Sequence, residues 1–556
     1  MRCTMAISKL EVSSARTNLL KTVRSKRATL GLLFVLNAGF IFTYIINPLP
    51  EKDSNSTDFV KNNTLPPFAY LPDFCNCVET ANKYRMTSTK FTRARSKFLP
   101  KYRVILVRIR TYNKRNIPKL NGGDIIFAWA RQMYGDGMVP GNVIDHRNGS
   151  YTGFIRVFWT GKTNVHLRLV SAVENTCLRY KALNKYGDIV FTLRQPYGLR
   201  AIYSYNNSKV LAPCNTNSFI YGSSRVCNFT TLNGGMSWYC GLPAGGQFQC
   251  KDLQSFSLGS FKSRARSVED KIRSPGHGIF MIPMSVDVTF KSDTNSSVTC
   301  NERTPLESWT EKSPIGFFLK RLWIPTNCKT NFKHTIANYR TCLQNRTLIF
   351  LGDSTVRQYI NFFIKDILGL DETIEKGLTF GPNFQTYHGH HTFTNHGITL
   401  IYRKQAMPLH FAGGEIPINN IQSFPQILDS ITNSDILGSS IVVLLNYHAH
   451  FTSYPPEKYR ERLKYLVASL KRLFYSKPEA KVFFKGPSPC ISDSKWWDPY
   501  ISLVYNKILT EEFTDILDKV TYLNIWEISV AHNVLDVHPQ GQALKSQLHQ
   551  FMTFLC

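Results

Sequence analysis

The sequence predicts a multidomain fold, with an N-terminal immunoglobulin-like β-sandwich followed by an α/β domain that contains a parallel sheet. Short runs that alternate apolar and polar residues fill the first part of the chain, as in strands with one buried face. Short apolar runs alternate with longer amphipathic segments in the last part, as in a parallel sheet covered by helices. A chain of 556 residues is also too long for one hydrophobic core, so several domains are expected.

An uncharged run at residues 28–46 follows a basic N-terminal segment. At ~1.5 Å per residue, a helix of this length just spans a hydrocarbon core of ~30 Å. Because basic flanks stay in the cytosol, we expect a cytosolic tail at 1–27, a transmembrane signal-anchor at 28–46 and a polar lumenal stem at 47–95. The protein would then be a type II membrane protein of the Golgi or cell surface. The alternative is a cleaved signal peptide, which would give a secreted protein.

Cysteines and glycosylation sequons also indicate the secretory pathway. Of the 13 cysteines only Cys3 precedes the apolar run, and the remaining even number suits a set of disulfides. The net charge of +29 favours a polyanionic partner, and a lumenal position excludes nucleic acid from that role. N-glycosylation is expected at Asn55, Asn62, Asn148, Asn206, Asn228, Asn295 and Asn345.

The β-domain is predicted to cover residues 96–300. Turn residues such as Asn148-Gly149 and Thr160-Gly161 separate its predicted strands. The cysteines between residues 177 and 300 predict a loop-rich extension that is stapled by disulfides. No catalytic set of residues appears here, so we interpret this domain as a spacer or binding module. The predicted strands are 102–109, 124–129, 151–159 and 164–170.

The α/β domain is predicted to cover residues 301–556. Its predicted helices include 355–368, a segment with an apolar stripe from Tyr459 to Phe474, and 542–554. In parallel sheets, sites form at the carboxyl ends of the strands, and we expect the functional residues there. The predicted strands are 347–351, 440–445, 481–484 and 520–525.

Three polar residues follow predicted strands at this edge. Ser354 lies where the first strand turns into a helix, which would expose its hydroxyl beside the N–H groups of the helix N-terminus. Asn446 follows the second strand and could donate to an oxyanion, while His538 follows the fourth strand and could act as a base. The alternative is that Asp353 and Ser354 only cap the helix and that Asn446 satisfies its own loop.

These residues resemble a known combination. The segment from Gly352 to Tyr359 resembles the extended motif of the PC-esterase branch of the SGNH/GDSL hydrolases, and the Asn148-Gly149-Ser150-Tyr151 hairpin resembles a neurexophilin domain. The chain as a whole is similar to the neurexophilin and PC-esterase domain (NXPE) family. This resemblance implies an α/β/α fold of the SGNH-hydrolase type for the C-terminal domain. It also implies transfer or removal of an O-acyl group, above all O-acetyl, on a carbohydrate.

The resemblance also implies roles for individual residues. Ser354 would be the nucleophile and His538 its general base, while Asn446 and the backbone N–H of Ser354 would bind the oxyanion. Gly397 or the Gly413-Gly414 pair would supply the family's oxyanion glycine, and Arg357 would bind substrate. No cofactor is expected, and an acyl donor such as acetyl-CoA would be a substrate. The implied partners are a glycan, acidic or sialylated given the charge, and a membrane protein bound through the β-domain.

One position departs from the family pattern. Leu535 stands where the family has the aspartate of Asp-X-X-His, and Asp536 follows one residue later. Asp536, Glu527 or a backbone carbonyl could orient His538. Loss of the acid in triad enzymes can cost ~10⁴ in rate. Two hypotheses therefore remain: an acyl transferase or esterase, and a neurexophilin-like binding glycoprotein with a silent esterase-fold domain.

A set of histidines could suggest a metal site instead. No acidic or cysteine ligand accompanies them at a recognised spacing, so we expect no metal. We interpret them as surface-loop residues, some of which line a substrate groove. They are His388, His390, His391, His396, His448 and His450.

Overall fold

A computed structural model describes most of the chain beyond the N-terminal segment. The predicted tail, anchor and most of the stem lie outside the described residues, as do Asn55, Asn62 and Asn295. Within the described part, no helix has both the length and the apolarity that crossing a membrane requires. The described residues are Cys75 and 86–186, 197–220, 223–244, 246–260, 278–280, 282, 284–294, 298–371, 390–405, 415–433, 440–489 and 499–556.

Strands dominate the first half of the described chain, and helices appear mainly in the second. The strands are β1 (Arg93–Leu99), β2 (Val104–Arg110), β3 (Ile125–Gln132), β4 (Met138–Asp145), β5 (Ser150–Arg156), β6 (Gly161–Ser171), β7 (Tyr197–Tyr205), β8 (Ser208–Asn215), β9 (Val226–Asn228), β10 (Tyr239–Gly241), β11 (Leu253–Ser260), β12 (Gly278–Ile279), β13 (Met284–Val288), β14 (Gly316–Leu319), β15 (Leu322–Pro325), β16 (Thr347–Gly352), β17 (His390–Asn395), β18 (Ile398–Lys404), β19 (Glu415–Pro417), β20 (Ile441–Leu445), β21 (Lys481–Lys485) and β22 (Val520–Leu523). The helices are α1 (Val173–Tyr186), α2 (Pro305–Trp309), α3 (Ile336–Leu343), α4 (Ser354–Phe362), α5 (Phe424–Thr432), α6 (Pro456–Ser476), α7 (Pro499–Glu512), α8 (Ile525–Ala531) and α9 (Gly541–Leu555).

A ten-stranded antiparallel sheet forms the first body, in the order β1-β2-β5-β4-β3-β6-β12, with β13, β14 and β15 joined at its sides. The four strands predicted for this region correspond to β2, β3, β5 and β6. Strands β1 and β4 were not predicted. Strand β1 carries basic, exposed residues at alternate positions, and β4 contains Pro140 and Gly141, which disfavour a strand in sequence. In the folded sheet β1 pairs with β2 and β4 pairs with β3, and each of these partners is the adjacent strand along the chain.

A second antiparallel sheet has six strands in the order β19-β11-β7-β8-β10-β9. Disulfides are present in this region as predicted, but its described residues also form strands that the sequence analysis did not predict. Two disulfides stabilise this sheet: Cys214–Cys240 joins β8 to β10, and Cys227–Cys250 joins β9 to the turn before β11. Strand β19 comes from the C-terminal half of the chain and pairs with β11.

A third sheet has the order β17-β18-β16-β20-β21-β22. All pairs are parallel except β17 with β18. Numbered along the chain, the parallel strands β16, β18, β20, β21 and β22 are arranged 2-1-3-4-5, so the direction of winding reverses between β16 and β20. Ligand sites in such sheets lie at this reversal, beyond the carboxyl ends of the strands. Strand β18 was not predicted.

Helices pack on both faces of the third sheet. Phe483 of β21 contacts Phe551 of α9 on one face, with ring centroids 5.0 Å apart. The next residue, Phe484, contacts Phe513 beyond α7 on the other face, at 5.4 Å. Because both faces are covered, the central strand β20 is buried along its whole length.

The first and third sheets are in contact through α8. Phe127 of β3 packs edge-on against Trp526 at 5.5 Å, and Arg168 of β6 donates to Asn533 Oδ1 at 2.9 Å. Asn533 lies just beyond α8, in the segment that leads to His538. The β-rich half therefore supports the segment that carries the predicted base.

Candidate active site

The turn between β16 and α4 presents Ser354 as the first residue of the helix. Asp353 caps this helix, because its Oδ1 accepts hydrogen bonds from the backbone N–H of Thr355 at 2.8 Å and from the Thr355 hydroxyl at 2.7 Å. Gly352 has no room for a side chain, since a Cβ there would lie 2.3 Å from Val356 Cγ2. Asp353 performs the capping, so the hydroxyl of Ser354 is not needed for it.

The Ser354 hydroxyl lies 2.7 Å from His538 Nε2. His538 belongs to the segment between α8 and α9, and this segment is attached to α4 by a second contact. Gln358 Nε2, one turn after Ser354, donates to the main-chain carbonyl of Pro539 at 2.9 Å. The two predicted residues are thus brought together across 184 positions of sequence, at the carboxyl edge of the parallel sheet.

Asp536 holds His538 mainly through the backbone. Its Oδ1 accepts from the backbone N–H of His538 at 2.9 Å and lies 3.5 Å from His538 Nδ1. The Asp536 side chain is 69% exposed, and Leu535 also faces solvent. A carboxylate at 3.5 Å in solvent orients an imidazole only weakly.

Glu527 was an alternative acid for His538. The structure places it in the first turn of α8, where Oε2 accepts from the backbone N–H of Ile315 at 2.8 Å. This carboxylate is thus engaged in joining α8 to the segment before β14.

Asn446 follows β20 at the same edge of the sheet as Ser354. Its backbone N–H donates to the carbonyl of Leu351 at 3.0 Å, and its side-chain Nδ2 donates to the carbonyl of Lys485 at 2.8 Å. Asn446 is buried, and among the described residues its Oδ1 has no hydrogen-bond partner. An amide nitrogen carries two hydrogens, so a second donor remains beyond the one that Lys485 uses.

Gly397 is not at this site, so its predicted oxyanion role needs correction. It forms the turn between β17 and β18 with φ +70°, and its carbonyl accepts from the N–H of Asn345, which precedes β16. It therefore lies at the amino ends of the parallel strands, whereas Ser354 follows their carboxyl ends. The reason for its position is the left-handed turn, which glycine adopts easily. The alternative Gly413-Gly414 pair lies outside the described residues.

Lys485, which the sequence analysis did not identify, ends β21 beneath this site. Its side chain is buried, and Nζ donates to the Thr355 hydroxyl at 3.0 Å. Burial lowers the pKa of Lys485 to about 8, although the nearby Asp353 carboxylate raises it. Burial raises the pKa of Asp353, but the charges of His450 and Lys485 and the hydrogen bonds from Thr355 bring it below its ordinary value.

His448 is buried and is therefore not a surface-loop residue as predicted, whereas His450 is half-buried. His448 is buried, with Nε2 2.7 Å from the Ser502 hydroxyl, and His450 lies close enough to Asp353 and His538 for their charges to interact. Burial lowers the pKa of His448 to about 3 and that of His450 to about 4, so both are neutral near pH 7. In the described part of the chain, no group of three His, Cys, Asp or Glu side chains could hold a metal ion.

Arg357 and Lys404 place positive charge beside the same edge. Arg357 lies one turn after Ser354 and is half-buried, and Lys404 is the last residue of β18. Burial and, to a smaller extent, the charge of Arg357 lower the pKa of Lys404 to about 8. The side chains are therefore near each other, next to the helix that carries Ser354.

Two family models match the chain. The family described as "NXPE family member 4-like, C-terminal domain" matches residues 323–556, which include Ser354, Asn446 and His538. The family described as "Neurexophilin" matches residues 87–262, which include strands β1 to β11. The chain belongs to the NXPE family. The predicted family is thereby confirmed.

Disulfides in this NXPE protein agree with its neurexophilin domain in indicating the secretory pathway. The sequon asparagines Asn148, Asn206, Asn228 and Asn345 are all exposed, as glycan attachment requires. Five disulfides join described residues: Cys75–Cys177, Cys214–Cys240, Cys227–Cys250, Cys300–Cys328 and Cys342–Cys556.

Proposed function

We propose that this NXPE protein transfers or hydrolyses O-acyl groups, above all O-acetyl groups, on glycans in the secretory pathway. The C-terminal domain would be an α/β/α domain of the SGNH type, with an acyl-Ser354 intermediate. The 2.7 Å separation between Ser354 Oγ and His538 Nε2 carries this proposal. It lies at the reversal point of a parallel sheet, where α/β proteins bind their ligands.

The proposed reaction has two steps. Ser354 Oγ attacks the acyl carbonyl and His538 Nε2 takes the hydroxyl proton; the leaving group, an alkoxide from an ester donor or a thiolate from a thioester such as acetyl-CoA, then departs with that proton. A sugar hydroxyl or water then attacks the acyl-serine and gives its proton to His538, which passes it to Ser354 Oγ as the acyl–oxygen bond to the serine breaks. The N–H of Ser354, at the positive end of α4, and the Asn446 amide would stabilise the oxyanion in both steps.

Positive charge near Ser354 supports an acidic acceptor. Arg357 and Lys404 lie beside α4, and the chain carries a net charge of +29. We propose a sialylated or otherwise acidic glycan as the acceptor and an acyl donor such as acetyl-CoA as the second substrate, with no resident cofactor. We also propose anchoring by residues 28–46 in the Golgi or cell-surface membrane, and a membrane-protein partner for the β-domain.

A fluorophosphonate probe tests the nucleophile directly. We expect the folded protein to be labelled at Ser354, Ser354→Ala to lose this label, and His538→Ala to lose nearly all of it. Mass spectrometry of glycans from cells that express the wild type or Ser354→Ala then tests the reaction. Equal O-acetylation in the two cell lines would contradict the proposed activity.

A second candidate function is a binding glycoprotein with a catalytically silent C-terminal domain. The observation that favours it is the position of Asp536, whose exposed carboxylate lies 3.5 Å from His538 Nδ1. This candidate expects no labelling of Ser354 in folded protein. It also expects a membrane-protein partner to be bound equally well by wild type and Ser354→Ala.

A further inference from the structure

We propose that Lys485 is a positioning residue that joins both sides of the oxyanion site, α4 through its side chain and Asn446 through its carbonyl. This inference rests on the proposed function, since it assigns Lys485 a role in the same acyl-transfer site. The hydrogen bond of the Lys485 side chain is to Thr355, not to Ser354 or His538. Its effect on the reaction would pass through the groups that it holds.

The side chain of Lys485 supports the first turn of α4. Nζ donates to the Thr355 hydroxyl at 3.0 Å, and that hydroxyl donates to Asp353 Oδ1 at 2.7 Å. Asp353 in turn accepts the N–H of Thr355 at 2.8 Å. This chain of hydrogen bonds fixes the residues on either side of Ser354, and so it fixes the direction of the Ser354 N–H that would face the oxyanion.

The main chain of Lys485 holds the other proposed donor. Its carbonyl accepts a hydrogen bond from Asn446 Nδ2 at 2.8 Å. Asn446 Nδ2 has two N–H bonds that lie in the plane of the amide. The hydrogen bond that one of them makes to Lys485 therefore sets the direction of the other. Movement of the end of β21 would therefore displace Asn446 and the α4 turn together.

The cost of burying Lys485 argues that it is more than a space-filling residue. An ammonium group loses its hydration on burial, and an apolar side chain of similar length would avoid this cost. The groups that face Nζ are Asp353, whose charge raises the lysine pKa, His448, which is neutral near pH 7, and the ring of Tyr359 at 5.5 Å. The single full negative charge among these three is that of Asp353, which the Thr355 hydroxyl bridges to the lysine.

The test compares rates of fluorophosphonate labelling of Ser354 in the full-length folded protein. We expect Lys485→Met to slow labelling by about tenfold, less than the 10²–10³ that follows removal of an oxyanion donor itself. The matched control is Lys481→Met, which changes an exposed lysine at the other end of β21 and should label like wild type. Thr355→Val should slow labelling to a similar extent. Thr355→Ser keeps the hydroxyl and should be labelled at the wild-type rate.

A pH profile separates this role from general loss of structure. Because the pKa of Lys485 is about 8, the wild-type labelling rate should fall as the pH rises through that value, and Lys485→Met should lack this fall. Equal rates for wild type, Lys485→Met and Thr355→Val would overturn the inference while leaving the nucleophile in place. Absence of labelling in the wild type would instead contradict the proposed function, and with it the role proposed for Lys485. If Lys485→Met does not fold, the labelling rates of Thr355→Val and Thr355→Ser are compared instead, because both variants keep the buried charge of Lys485. A slower rate for Thr355→Val than for Thr355→Ser supports the inference, and equal rates overturn it.

Discussion

The side-chain amide of Gln358 is bonded to the carbonyl of Pro539 at 2.9 Å, which connects the helix that carries Ser354 to the segment that carries His538. Gln358 is four residues from the nucleophile and Pro539 is next to the base. A single hydrogen bond thus constrains the distance between the two groups of the proposed reaction. Its position explains why a glutamine is useful one turn after Ser354 in this motif.

Replacement of Gln358 by Leu should reduce reaction at Ser354 more than it reduces stability. The lost hydrogen bond contributes about 1 kcal/mol to stability, whereas displacement of His538 by a fraction of an ångström affects every proton transfer. We expect about tenfold slower probe labelling with a nearly unchanged midpoint of unfolding. Gln344→Leu, at an exposed position after α3, is the control. Equal loss of stability and labelling would show that Gln358 serves folding alone.

Asp536 should contribute little to the reactivity of Ser354. Because its carboxylate is 69% exposed and 3.5 Å from Nδ1, we expect Asp536→Asn to slow labelling by about tenfold or less, far below the ~10⁴ typical of a buried triad acid. Leu535→Asp restores the family spacing at a position that already faces solvent. If that carboxylate reaches Nδ1, labelling should become faster. A loss of ~10⁴ in Asp536→Asn would show that Asp536 acts as a full triad member.

Gly352→Ala should destabilise the C-terminal domain by clashing with α4. A Cβ would lie 2.3 Å from Val356 Cγ2, and overpacking of this kind costs about 1–3 kcal/mol. The double variant Gly352→Ala/Val356→Ala should recover part of this loss, because the smaller side chain makes room. Chemical denaturation of both single variants and the double variant checks this. Strictly additive losses would mean that the two residues do not interact.

Glu311 should make the stability depend on pH between about 4.5 and 7. Burial raises its pKa to about 7 from the ordinary 4.5, although its ion pair with Arg303 lowers it. The folded protein therefore binds this proton more tightly than the unfolded chain. The resulting stabilisation is complete below pH 4.5 and is lost as the pH rises through 7, with a slope of up to ~1.4 kcal/mol per pH unit.

Denaturation of wild type and Glu311→Gln at several pH values tests this expectation. The variant should show a smaller fall in the free energy of unfolding between pH 5 and pH 7. Glu479→Gln, at an exposed position before β21, should follow the wild type. Parallel curves for wild type and Glu311→Gln would contradict the assignment to Glu311.

Local patterns predicted much of the C-terminal half. Short apolar runs predicted the buried strands β16, β20, β21 and β22. The residues Gly352 and Asp353 predicted the turn that presents Ser354. Strand β18 was missed because it alternates apolar and polar residues like a surface segment, and its place beside β16 follows only from the assembled sheet. The error at Gly397 has the same origin, since sequence does not reveal which end of an unrecognised strand a glycine occupies.

Lys485 shows why part of the site could not be predicted. In sequence it is a lysine at the end of a strand, which is usually solvated. Its partner Thr355 is 130 positions away, and its burial depends on helices that pack on the sheet from both sides. His448 was misinterpreted for the same reason, because its contact with Ser502 joins two segments with no shared pattern.

The pairing of β19 with β11 has a consequence for biosynthesis. The ribosome completes the cysteine-rich region long before residues 415–417 emerge, so during elongation β11 presents a row of unpaired backbone groups along one side. An exposed edge strand of this kind readily pairs with other chains. Recombinant fragments that stop short of residue 415 are therefore expected to self-associate, and the shortest well-behaved fragment of the neurexophilin half should include a tethered copy of that segment.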